Sequence, residues 1–105
     1  MTNGGNLSLE LGPSGDVQII GPLVFANAAD ALPRGVELIV GNRENRFDLS
    51  GVTLADSAGL ALLIEWRRVA RRHDATLVFS GATDQLLNIA GTTNLSALFD
   101  VGDNT

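Results

Sequence analysis

A chain of 105 residues with 45% hydrophobic and 18% charged side chains can bury one small core and is too apolar to stay unfolded. Its net charge of −5 argues against general nucleic-acid binding, which needs many phosphate-neutralising cations; there is no lysine, and four of the seven arginines lie between positions 67 and 72. The absence of cysteine excludes disulfides and thiolate metal sites, and no apolar run nears the roughly 20 residues of a membrane span.

The start, Met1 to Asn6, is polar and uncharged, unlike a signal peptide. The expectation is a soluble cytoplasmic protein with no direct membrane insertion. One domain is expected over residues 7–101, with 1–6 disordered and 102–105 loose.

Leu7 to Leu11 alternates apolar and polar, the period of a strand with one wet face. Gly12-Pro13-Ser14-Gly15-Asp16 is a turn by composition, and Val17 to Ile20 is a second strand, antiparallel to the first. From Phe25 the period changes. Apolar residues at 25, 28, 29, 32, 36, 39 and 40 are spaced by threes and fours, predicting a helix. Pro33 and Gly35 interrupt it, so a kink or two pieces is expected; Val36 to Val40 as a strand is the alternative.

Arg46 to Leu49 is predicted as a third strand, left by Ser50-Gly51-Val52-Thr53. A second helix runs from about Ser57 to Arg72, with Gly59, Leu62, Leu63, Trp66, Val69 and Ala70 on one face. Thr76 to Ser80 is a fourth strand. Thr83 caps a third helix over Asp84 to Ala90, and Leu95 to Phe99 is a short final one. Strands alternating with helices imply an α/β fold: a four-stranded mixed sheet, with three to four helices mainly on one face.

No catalytic constellation stands out. His73 is the only histidine and sits beside Arg71 and Arg72 at a helix end, where cations suit the dipole. Ser57 lacks the Gly-x-Ser-x-Gly setting of a nucleophile, the loop before it lacks a phosphate-binding Gly-Lys-Ser/Thr, and Asp48 with Asp56 is too small a donor set for a metal. Neither enzyme activity nor a cofactor is expected. Asp56 and Ser57 are both good helix caps, worth about 1 kcal/mol. Leu60 and Ile64 fall beside the core face of the second helix, continued by Arg67, Arg68 and Arg71. Such an apolar pair followed by a basic strip is either a docking surface or an area covered by the third helix or a loop.

Asp48-Leu49-Ser50-Gly51-Val52 followed by Asp56-Ser57-Ala58-Gly59-Leu60-Ala61-Leu62-Leu63 resembles the signature of STAS domains, a family of anti-sigma-factor antagonists and transport-associated modules. The order of elements over most of the chain is similar too. In the antagonists the hydroxyl immediately before the glycine is the phosphate acceptor; here that position is Ala58, and Ser57 stands one residue earlier. The motif is more similar to the small STAS subunit of Mla-type phospholipid-transport ABC systems. That resemblance implies docking on the transporter's ATPase subunit through Asp56, Ser57, Ala58, Gly59, Leu60, Ile64, Arg67 and Arg68. The other branch implies an anti-sigma-factor partner, with Ser57 as a phosphorylation candidate. A third expectation, a small hydrolase using Ser57, rests on the hydroxyl alone.

Overall fold

The computed structural model describes residues 6–93 and 95–99. Residues 1–5 of the expected disordered start (1–6) and the expected loose end (102–105) lie outside the described residues. The elements are β1 (Ser8–Leu11), β2 (Val17–Leu23), α1 (Phe25–Val40), β3 (Glu44–Ala55), α2 (Ser57–Arg72), β4 (Thr76–Ser80), α3 (Asp84–Thr92) and a C-terminal 3-10 turn (Ser96–Phe99).

The strands lie in the sheet in the order β1-β2-β3-β4. β1 and β2 form an antiparallel hairpin, with Leu9 opposite Ile19. β2 pairs with β3, and β3 with β4, in parallel. Parallel neighbours need a crossover, and α1 and α2 supply the two. Val17, Ile19, Phe47, Leu49, Leu77 and Phe79 are buried, whereas the alternating Gln18, Ile20, Arg46 and Ser50 are exposed. The helices therefore cover one face of the mixed sheet, which is the α/β architecture expected.

Trp66 is the centre of the core. It is fully buried, stands edge-on to Phe47 with centroids 5.4 Å apart, and donates its indole N–H to the Leu32 carbonyl at 3.1 Å. Edge-to-face pairs of this kind add about 0.5–1.5 kcal/mol beyond burial. The indole lies against α1 at Gly35, where a Cβ would collide with the ring. Gly35 thus lets the two helices meet; it does not break α1.

Three expectations need correction. α1 is one helix from Phe25 to Val40, not two pieces, with Pro33 inside it on the exposed side, where water can serve the carbonyl that proline leaves without a donor. Its buried residues are Ala31, Gly35 and Ile39, flanked by Ala28, Leu32 and Val36, so the stripe is rotated away from Phe25, Ala29 and Val40. β3 is longer than Arg46 to Leu49. It continues through Gly51 to Ala55 by register shifts against β2 between Gln18 and Ile20 and between Gly21 and Pro22. A Cβ on Gly51 would come within 2.9 Å of the Ile19 carbonyl, so this glycine serves a close strand approach and does not mark the strand's end.

Candidate functional site

The end of β3 delivers Asp56 to the start of α2. Its backbone is extended, which suits an N-cap, and its Oδ1 accepts the Gly59 N–H at 2.9 Å. Its other oxygen, Oδ2, accepts the Phe25 N–H at 3.1 Å. α1 starts at Val24 with no side-chain cap of its own, so one carboxylate closes the N-termini of two helices. The Asp56 N–H in turn donates to the Leu23 carbonyl at 3.3 Å. Gly59 lies flush on that carbonyl, with no room for a Cβ.

A third helix joins the junction. Gln85, in the first turn of α3, accepts the Ala55 N–H on its Oε1 at 2.7 Å. The β3–α2 turn is therefore tied to α1, α2 and α3 by Phe25, Gly59 and Gln85. Thr83 caps α3 through the Leu86 N–H, as its sequence position predicts.

On this rigid seat Ser57 is exposed, at the first helical position. The capping role expected of Asp56 and Ser57 together belongs to Asp56, and Ser57 is left exposed. Ala58 is half-buried and Gly59 buried. Leu60 is only 2% exposed, and so cannot contribute to a surface; the expected apolar pair is reduced to Ile64, which is half-buried. The physical reason is that α2 packs against α1, α3 and three strands, so apolar residues on two of its faces are covered.

The basic strip also divides. Arg67 turns inward: its Nη2 donates to the Leu98 carbonyl at 2.9 Å, and its guanidinium lies 5.2 Å from the Phe79 ring centroid. Burial, then the neighbouring charge of Arg71, lowers its pKa. Arg68 is exposed and lies 3.9 Å from Glu65, which also reaches Arg72 at 3.7 Å. Arg68 remains on the surface with Ser57; Arg67 holds the C-terminal turn.

Two residues that sequence reasoning left out complete the surface. Phe25 is 79% exposed and Leu54 is 52% exposed. Both stand beside Asp56: Phe25 through the capping bond, Leu54 two residues earlier in β3 and in register with Pro22. The helical period assigned Phe25 to the core, whereas its place at the first turn of α1 leaves it outside. Its sequence signal was the lack of a polar cap before it. Among the described residues no cluster of three metal-ligating side chains occurs, and no helix is long and apolar enough to cross a membrane.

A four-stranded mixed sheet whose central strand ends in an Asp-capped helix defines the class: a small α/β domain built around the β3–α2 turn. The family model described as "Mlab, STAS domain" matches residues 11–100, and the chain belongs to the STAS family. Among solved structures, the anti-sigma factor antagonist SpoIIAA in its unphosphorylated form superposes with a TM-score of 0.69 at 13% identity, over 89% of this chain and 84% of that one. An anti-sigma-factor antagonist (STAS) domain protein from Planctomyces limnophilus gives 0.69 at 11% identity, over 90% and 87%. SLC26A9 gives 0.63 at 17% identity, over 76% of this chain and 16% of that much longer one. At these identities the likeness is one of fold. No curated protein matches the sequence.

Proposed function

We propose that the chain is a non-enzymatic STAS subunit, a single domain over residues 7–101, that docks on the cytoplasmic ATPase of a phospholipid-transport ABC system and supports its assembly and activity. The observation that carries this reading is the exposure of Phe25 and Leu54, whose backbones lie close to Asp56, together with the exposed Ser57. Two large apolar side chains held by a braced backbone are suited to anchoring a partner, because little conformational entropy is lost on binding. The match to a MlaB-type family model supports the choice of partner. Asp56 and Gly59 set the turn; Ser57, Phe25, Leu54, Ile64 and Arg68 make the contact. The protein needs no cofactor, and it reaches the inner face of the membrane through its partner.

The test is co-purification with an ABC-transporter ATPase subunit. Phe25→Ser, Leu54→Ser and Ser57→Asp each weaken the complex while leaving the melting temperature of the free protein nearly unchanged. Loss of the complex only in parallel with loss of folding sinks the reading.

A second reading, an antagonist that binds an anti-sigma kinase, is favoured by one feature: the Ser57 hydroxyl is exposed at the positive end of the α2 dipole, which accommodates a phosphate. Ala58, with no hydroxyl at the family's acceptor position, weighs against it. ATP-dependent phosphorylation of Ser57 by such a kinase, with no ATPase partner recovered, would reverse the ranking.

A further inference from the structure

β4 is an outer strand, with no strand beyond it among the described residues. Residues 75–80, Ala-Thr-Leu-Val-Phe-Ser, carry no charge, no proline and no glycine. An edge of that composition is a template for pairing with another chain unless something covers it. The other edge, β1, is only four residues long and carries Glu10, which blunts it. β4 has no such charge.

The five-residue strand also matches itself. Antiparallel pairing of two copies about Val78 sets Val78 against Val78, Leu77 against Phe79, and Thr76 against Ser80. Leu77 and Phe79 are the buried pair, so apolar meets apolar on the helix side and hydroxyl meets hydroxyl on the open side. The arrangement is two-fold, as a closed dimer requires, and opposes no like charges.

The C-terminal turn packs on β4 and α3. Phe99 stands edge-on to Phe79 with centroids 6.3 Å apart. The turn is held by Arg67, through the Leu98 carbonyl. A groove of about 450 Å³ remains between Val78, Phe79 and Ser80 on the strand, with Arg46 beside them, and Leu87 and Phe99. Arg67 is half-buried and holds the turn by one carbonyl and the Phe79 ring; among the described residues no carboxylate pairs with its guanidinium, and its Nε is buried with no acceptor. With no carboxylate to offset it, the partly desolvated cation makes this fastening a modest one to release.

We infer that the outer edge of β4 is a self-pairing surface masked by the C-terminal turn, with Arg67 as the latch, and that its occupant when the turn swings away is β4 of a second copy. This does not depend on the docking reading, which concerns the β3–α2 turn, and its test uses no transporter partner.

The experiment is sedimentation of the full chain. The natural chain sediments as a monomer. Arg67→Gln combined with Phe99→Ser doubles the sedimenting mass while the far-ultraviolet spectrum and cooperative melt persist. Adding Val78→Glu returns it to monomer, because two carboxylates then face each other across the two-fold axis; in the monomer the introduced carboxylate sits in register with Arg46 and is tolerated. Arg67→Lys alone, which retains the charge but not the planar reach to Leu98, gives weaker, concentration-dependent association if the double variant fails to fold. A folded latch variant that stays monomeric overturns the inference. So does a doubled mass that survives Val78→Glu, or a natural chain that is already dimeric.

Discussion

The Phe25 backbone N–H and the Asp56 carboxylate, 31 residues apart in sequence, meet at 3.1 Å. The same carboxylate holds Gly59 at 2.9 Å, so the starts of α1 and α2 share one cap. Asp56→Ala removes both bonds. A cap is worth about 1 kcal/mol and a hydrogen bond to a charged group about 1.5–3 kcal/mol, so the expected loss is about 2–3 kcal/mol in a denaturant titration. Asp56→Asn retains one acceptor oxygen, and therefore serves one helix; it should lose about half as much.

Ser57 and Leu60 part company. Ser57 is exposed and Asp56 supplies the cap, so Ser57→Ala should fall within about 0.5 kcal/mol of the natural chain, below the full cap value that its sequence context allows. Leu60 is buried, and Leu60→Ala should cost about 2–5 kcal/mol. A binding defect in a Leu60 variant would therefore report unfolding. Calorimetry of both variants beside the partner assay separates the two effects.

Much of this was legible in the residues. The hairpin, the extents of α2 and β4, the Thr83 cap and the alternation that forces parallel crossovers all follow from local period and capping chemistry. The motif around Asp56 and Gly59 carried the family. Local pattern could not give the far partner of a group. Phe25 lies on the apolar period of α1 yet is outside, because the helix begins there and the buried stripe is rotated toward Ala31, Gly35 and Ile39. For Leu60 the pattern leaves two readings open, a docking face or an area covered by the third helix or a loop, because nothing local shows which elements pack on α2. Arg67 read as one of four equivalent cations until its contact with Leu98 distinguished it.

Gly35 and Gly59 make different demands on a substitution. A Cβ at Gly35 meets the Trp66 ring, a side chain that can shift a little at the cost of its bond to Leu32. A Cβ at Gly59 meets the Leu23 backbone carbonyl, which is fixed in the sheet and already accepts from Asp56. Overpacking typically costs about 1–3 kcal/mol, so Gly35→Ala should fall in that range and Gly59→Ala at or above its top. Equal losses in parallel thermal melts would mean that α2 can move off β2 as easily as the indole can turn.

Gln85 is a strut that nothing in the local pattern singles out. It is an exposed residue in the first turn of α3, yet its Oε1 accepts the N–H of buried Ala55 at 2.7 Å. Gln85→Leu leaves that donor without its partner, and an unsatisfied buried donor costs about 1–3 kcal/mol. Gln85→Glu retains an oxygen in place and puts a negative charge in the first turn of a helix, where the dipole favours it. The two variants should therefore separate in a denaturant titration, Leu destabilised and Glu close to the natural chain. Because Ala55 directly precedes Asp56, the Leu variant should also loosen the seat of Ser57 and Leu54. Hydrogen exchange at Ala55 and Gly59 should then quicken in Gln85→Leu and not in Gln85→Glu. Unchanged exchange at Gly59 would mean that α3 supports β3 alone, and that the Asp56 carboxylate holds the turn without it.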